Sequence, residues 1–269
     1  MTKKQIKTEF KKARKSARKD YKILLTSAEE GYRAKILAAE QRYNESLDEF
    51  YRLTGKRKPV NPPKRPILEE IGNAITHGVG AVFAIVAFVL MLIAADSRVE
   101  YISSVIYFVG LFILFMSSCL YHAFVHGSAV KRLFHRFDYS SIYLLIGATF
   151  APVLLCFFGN LFGYIFFAIQ WTIIIAGISL VGVFGPSRLS LLHIPLYVIL
   201  GWSALMLLPE MFSSNAPLAL WILGGGIAYT LGLIPFLIRG RVSHFIWHFF
   251  VLCGAVIHWI GIYIHLFKI

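Results

Sequence analysis

The chain has 269 residues, of which 57% are hydrophobic, with a mean hydropathy of +0.66 and a formal charge of +13. A soluble globule of that composition would have to hide most of its chain from water, so an integral membrane protein is expected, and a nucleic-acid-binding domain is not. The charge is uneven: residues 1–65 hold 19 of the 27 Lys and Arg and 8 of the 14 Asp and Glu, a net +11, and the rest of the chain carries +2.

In chain order, the first element is a basic arm. From Ile6 onward, apolar or small residues recur at Phe10, Ala13, Ala17, Tyr21, Leu24, Ala28 and Tyr32. Steps of three and four residues, with more fours than threes, keep these on one face of a nearly straight helix. Three readings stand open: an interfacial helix drawn to anionic lipid, a helical segment for homo-oligomerisation, or a solvated tail. The lipid surface is the favoured partner. "GKRKPVNPPKRP" then breaks the helix, so residues 1–66 are read as a cytoplasmic arm with a Pro-rich linker and 67–269 as the membrane domain. The polar start argues against a cleaved signal peptide.

A bilayer core needs about 20 apolar residues per helix. Seven segments qualify, at roughly 74–95, 101–125, 139–158, 161–183, 190–208, 217–238 and 244–267. The fold class is therefore all-α: seven transmembrane helices plus the helical arm, with antiparallel neighbours because the connections are short. Pro152, Pro195, Pro209 and Pro235 should kink or end helices locally. Cys119, Cys156 and Cys253 lie in apolar runs without metal or redox spacing and read as packing residues. The connections "GSAVKRLFHRF", "GPSRLS" and "RGRVS" are basic, and those on the other side are acidic or neutral. By the positive-inside rule this predicts a multi-pass protein of the cell (inner or plasma) membrane, with a cytoplasmic N-terminus and an external C-terminus.

Polar residues inside spans each ask for a reason. On this topology, His77, Ser118, His122, Asp138, His244 and His248 come from four helices yet fall in one layer near the inner leaflet. Ser118 and His122 are four residues apart, as are His244 and His248, so each pair shares a helix face. Two imidazoles one turn apart with a third from a facing helix suit a metal, and zinc accepts nitrogen ligands while leaving a fourth position open. The expected ligands are His122, His244 and His248, with His126 in reserve. Asp138 would hold a water at the site or take its proton, and Ser118 would orient that water or help hold a developing oxyanion. The competing reading is that each histidine packs or lies at the interface. His258 is about 15 Å beyond His248 along the helix and reads as structural. His126, His135, His193 and His265 read as interfacial.

The stretches "EEIGN" followed by "ITHGVGAV", then "SSCLYHAF", "RFDYSSIYLLIGATFAP" and "SHFIWHFFVLCGAVIHW" resemble the successive motifs of the hemolysin III proteins, the bacterial branch of the progestin and adipoQ receptor (PAQR) superfamily. The resemblance covers roughly 67–269 and leaves out the arm. It implies seven transmembrane helices with the N-terminus inside and a zinc ion near the cytoplasmic side. By motif its ligands fall on His122, His244 and His248, with Ser118 and Asp138 beside them. Glu70, Asn73 and His77 match the first motif, which reads as supporting the site or the fold. Related alkaline ceramidases hydrolyse lipid amides, so the resemblance implies a zinc-dependent hydrolase of a lipid amide or ester in membrane lipid homeostasis. The alternatives are a membrane-state sensor with structural zinc, and a cytolysin or pore. The last is weakened by the near absence of charge at mid-span.

Overall fold

The computed structural model describes residues 3–55, 60–238, 240 and 242–267, and the chain divides into two compact units, Met1–Pro59 and Val60–Ile269. The first is one long helix, α1 (Lys3–Thr54), whose described side chains are almost all exposed.

The second unit is all-α among the described residues: α2 (Ile67–Ala94), α3 (Arg98–Ala123), α4 (Ala129–Pro152), α5 (Leu161–Phe184), α6 (Ser190–Trp202), α7 (Leu208–Ser214), α8 (Ala216–Ile238) and α9 (Ser243–Leu266). A π-helical segment, Val153–Phe158, continues α4, and a 3-10 turn, Ser203–Met206, joins α6 to α7. Together they form seven helical stretches long and apolar enough to cross a membrane. This is the architecture expected from the hydropathy.

Several boundaries move. The third span begins at Ala129 rather than near 139, so the basic stretch read as a connection forms the first turns of α4, started by Ser128, whose Oγ accepts from the Lys131 N–H at 3.1 Å. The first span starts at Ile67, which takes Glu69 and Glu70 into the helix. "PEMFSS" is not a loop: Pro209 opens α7, a position where its missing N–H costs nothing. Pro152 ends the regular α-helix and hands over to the π-segment, which Gly159 closes with a φ of 50°.

Helices in lipid gain little from hydrophobic sorting and rely on close backbone packing at small residues. At Gly110 of α3, a side chain would run into Ala148 and lie 2.9 Å from the Leu144 carbonyl oxygen of α4. Gly261 of α9 sits in the same way against Trp221 of α8. The strongest packing joins α2 to α3, α3 to α4, and α8 to α9, and α2 also packs on α9. That last contact closes the bundle and brings the start of the first span beside the start of the seventh. Large apolar side chains on the other faces, such as Leu68, Ile93 and Leu191, remain exposed, as lipid-facing residues must.

Candidate metal centre

The site lies at the end of the bundle where α2, α4 and α9 begin and α3 ends. His122, His244 and His248 are all buried, and one ring nitrogen from each lies within 4.8 Å of the others. Their ring centroids are 4.7 Å apart for His122–His248 and His244–His248, and 5.3 Å for His122–His244. Each ring keeps a buried nitrogen without a hydrogen-bond partner: His122 Nε2, His244 Nε2 and His248 Nδ1. Orphaned nitrogens are costly in an apolar interior, and three on rings that lie this close together are what a cation would satisfy. Tetrahedral zinc–nitrogen bonds of about 2.0–2.1 Å need ligand nitrogens about 3.4 Å apart, so small ring adjustments close the set. These residues therefore fit a divalent metal. The donor chemistry alone leaves the identity of that metal open.

What holds the rings was only partly visible in the sequence. Glu70 Oε2 lies 2.5 Å from His122 Nδ1, which fixes that nitrogen as the donor and turns Nε2 toward the other two histidines. The Asn73 amide nitrogen lies 3.4 Å from the same Nδ1. The second Glu70 oxygen, Oε1, accepts from Lys131 Nζ at 2.9 Å, and Lys131 also donates to the Phe124 carbonyl at 3.1 Å and lies over the Tyr121 ring. Lys131 is 1% exposed. Spacing could have revealed it: Lys131, His135 and Asp138 follow the i, i+4, i+7 pattern of one helix face. The neighbouring Glu69 takes the other side of the site. Its Oε1 accepts the backbone N–H of His244 at 3.2 Å, at the start of α9 where no local side chain caps the helix, and Arg65 stands 3.9 Å away. His77 stacks face to face on His248, with centroids 3.8 Å apart, and so buttresses that ring.

Asp138 and Ser118, from α4 and α3, line an apolar cavity beside His244 and His248. The Ser118 hydroxyl is buried beside the Asp138 carboxylate, and His122 is an electrostatic neighbour of the same carboxylate. The cavity, about 170 Å³, far exceeds the roughly 10–15 Å³ that one water needs. It runs inward between α4, α6, α8 and α9 as far as His258.

The remaining histidines separate cleanly. His258 Nε2 donates to the Ile222 carbonyl, 3.1 Å away, and its ring fills the space over Gly225. His126 is exposed in the connection between α3 and α4 and stands apart from the cluster, so it is no reserve ligand. Desolvation and the charges of Lys131 and Lys64 lower its pKa. His135 and His193, read as interfacial, are buried instead: His135 stacks on Tyr121, and His193 Nδ1 meets the Tyr143 hydroxyl at 2.9 Å.

Residues 66–259 match the family described as Haemolysin-III related. The chain is similar to Hemolysin-3 of Bacillus cereus, 35% identical over 194 residues that cover 70% of this chain and 88% of that protein. It is equally similar to the Hemolysin-3 homolog of Bacillus subtilis (strain 168), 35% identical over 196 residues covering 70% and 90%. The human Monocyte to macrophage differentiation factor is 29% identical over 229 residues, covering 82% of this chain and 94% of its own.

Proposed function

The chain belongs to the haemolysin III family, and from that premise we propose that it is a zinc-binding protein of the cell membrane that hydrolyses a lipid amide or ester. The observation that carries this reading is the conjunction of three buried imidazoles whose nitrogens converge with a carboxylate and a hydroxyl lining the adjoining apolar cavity. The basic connections argue for a cytoplasmic N-terminus, which puts the site near the inner leaflet.

His122, His244 and His248 would hold the metal, with Glu70 keeping His122 in the correct tautomer. Zinc bound there would polarise a carbonyl and lower the pKa of a water at the open position. The chain's own residues do the rest. The cavity takes the acyl chain and aligns the scissile carbonyl with its mouth. Asp138 removes a proton from the attacking water and returns it to the leaving nitrogen or oxygen as the bond to carbon breaks. The Ser118 hydroxyl donates to the oxygen on which negative charge develops.

A second reading, a membrane-state sensor with zinc as a structural pin, has one observation in its favour: the same cluster ties α2, α3 and α9 together through Glu70–His122 and Glu69–His244. The names of the two Bacillus relatives speak of haemolysis, but the spans carry their Asp, Glu, Lys and Arg near the ends, which is poor provision for an aqueous pore.

The deciding experiment incubates purified protein in bilayers with a panel of long-chain lipid amides and esters, wild type beside Asp138→Asn. Hydrolysis by the wild type, reduced about 10²–10⁴-fold in the variant at equal zinc content and equal thermal midpoint, is the expected result. No turnover on any substrate, together with a loss of stability on chelation, would replace the hydrolase by the sensor.

A further inference from the structure

Arg65 is a cation that the metal centre leaves unused. It stands two residues before α2, at the end of the bundle that holds the site, and its side chain is only 21% exposed. The buried Nε has no hydrogen-bond partner. Glu69 Oε1 is 3.9 Å from Nη1, too far for a hydrogen bond, and already accepts the backbone N–H of His244. The cations nearby in the chain are engaged: Lys131 donates to Glu70, Arg132 to Asn61 Oδ1 and the Gly127 carbonyl, and Arg136 to the Gly182 carbonyl. A guanidinium carries five donors in a fork that matches a carboxylate or phosphate, and covering it without such a partner is costly.

Position decides what would satisfy it. Arg65 is an electrostatic neighbour of Asp138, Tyr139, His135 and His244, so it lies among α2, α4 and α9 where they meet at the site. Asp138, Tyr139 and His244 line the apolar cavity, which runs inward from them, and Arg65 does not line it. On the hydrolase reading, on which this inference rests, the acyl chain fills the cavity and the scissile carbonyl sits at the three histidines. The leaving part of the lipid then extends the opposite way, toward Arg65.

We propose that Arg65 binds an anionic group on that leaving part, so that the lipid cleaved is an acyl amide or ester whose head carries a carboxylate or a phosphate. Water adds its oxygen to the acyl carbon, the C–N or C–O bond breaks, and the leaving atom takes a proton. The fatty acid remains in the cavity, and the head departs with its anion on Arg65. A neutral head would leave the guanidinium as bare as it is without a ligand.

The probes are three ketone analogues in which CH2 replaces the scissile nitrogen, so none is cleaved. All share a hexadecanoyl chain, and their heads end in a hydroxyl, a carboxylate or a phosphate. Affinity for the purified full chain in neutral detergent is titrated for wild type, Arg65→Gln and Arg65→Lys, each with zinc and after chelation. At least one anionic analogue should bind wild type about 10–100-fold more tightly than the neutral one in both conditions, as a charge-assisted bidentate contact implies. Which of the two does so tells carboxylate from phosphate. Arg65→Gln should remove the preference and leave the neutral analogue unchanged, and Arg65→Lys should restore part of it. Equal binding of all three analogues by wild type would overturn the proposal. So would a preference that persists in Arg65→Gln or vanishes on chelation, because the anion would then sit on the metal. Hydrolysis is scored apart from binding. An Arg65-dependent preference with no turnover of any lipid would keep the anion site and remove the hydrolase, whereas turnover that favours a neutral amide would keep the hydrolase and remove the anion site.

Discussion

Replacing Lys131 by Met removes the cation from a buried three-member chain, Lys131–Glu70–His122, while leaving an apolar stem of similar size. The Lys131 side chain is 1% exposed and that of Glu70 14%, so solvent screens the pair little. Breaking a buried pair by removing one partner costs about 3–5 kcal/mol, mostly because the surviving charge is left without compensation. Lys131→Met should therefore lower stability by about 3 kcal/mol, and Glu70→Gln by a similar amount. The double variant should recover most of that loss, giving a coupling of about 5 kcal/mol between the two sites. Metal affinity should follow a different rule. Glu70 is the group that orients His122, and losing such a partner weakens a metal site about 10–100-fold, or about 1.4–2.8 kcal/mol. The double variant should thus regain stability and still bind zinc poorly. The assay is thermal unfolding of the chelator-treated protein in detergent, paired with zinc titration against a competing dye. Simple additivity of the two single variants in stability would refute the idea that Lys131 and Glu70 act as a unit, and undiminished zinc affinity in Glu70→Gln would refute the orienting role.

Metal analysis of purified protein should find zinc in the wild type and in His126→Ala, whose side chain lies outside the cluster, and little in His248→Ala; equal content in all three would remove His248 from the site. Gly110→Val should destabilise by about 1–3 kcal/mol or more, because its side chain meets Ala148 and the Leu144 carbonyl, neither of which can rotate away, whereas Gly182→Ala enters open space and should be near neutral in the same thermal assay. His77→Ala removes the ring stacked on His248 and should weaken zinc binding several-fold with no change in stoichiometry, read by the same titration.

The spans were legible because each is long, apolar and bounded by short polar connections, features that survive without any knowledge of packing. The start of α4 was not. Lys131, Arg132 and Arg136 read as a basic loop because composition cannot distinguish a cation facing water from one facing a carboxylate 61 residues away. His122, His244 and His248 could be placed together from depth and spacing alone, since i, i+4 pairs share a face and the topology fixes the layer. The supporting groups were out of reach for a different reason. That Glu70 turns to His122 while its neighbour Glu69 turns to the start of α9 depends on α2 standing between α3 and α9, and no local pattern encodes which helices are neighbours. His193 failed similarly: placed near a span end by counting, it is covered because Tyr143 reaches across from α4.

Lys131 also breaks a local rule, and the break is informative. It occupies the first turn of α4, where the aligned peptide dipoles disfavour a cation by a few tenths to about 1 kcal/mol, and it is buried in a segment otherwise rich in apolar residues. The helix dipole and burial therefore both oppose a lysine at this position. Glu69 and Glu70, by contrast, sit in the first turn of α2, where the dipole favours carboxylates. The arrangement makes sense only across helices: α2 supplies two anions at little local cost, one satisfies the open amide of α9, and the other is held between Lys131 and His122. A residue set against its own helix and satisfied only by a distant partner marks a position whose constraint lies in the site rather than in the fold. It follows that the cluster is built outward from His122, and that the positions least tolerant of change beyond the three histidines are Glu70 and Lys131.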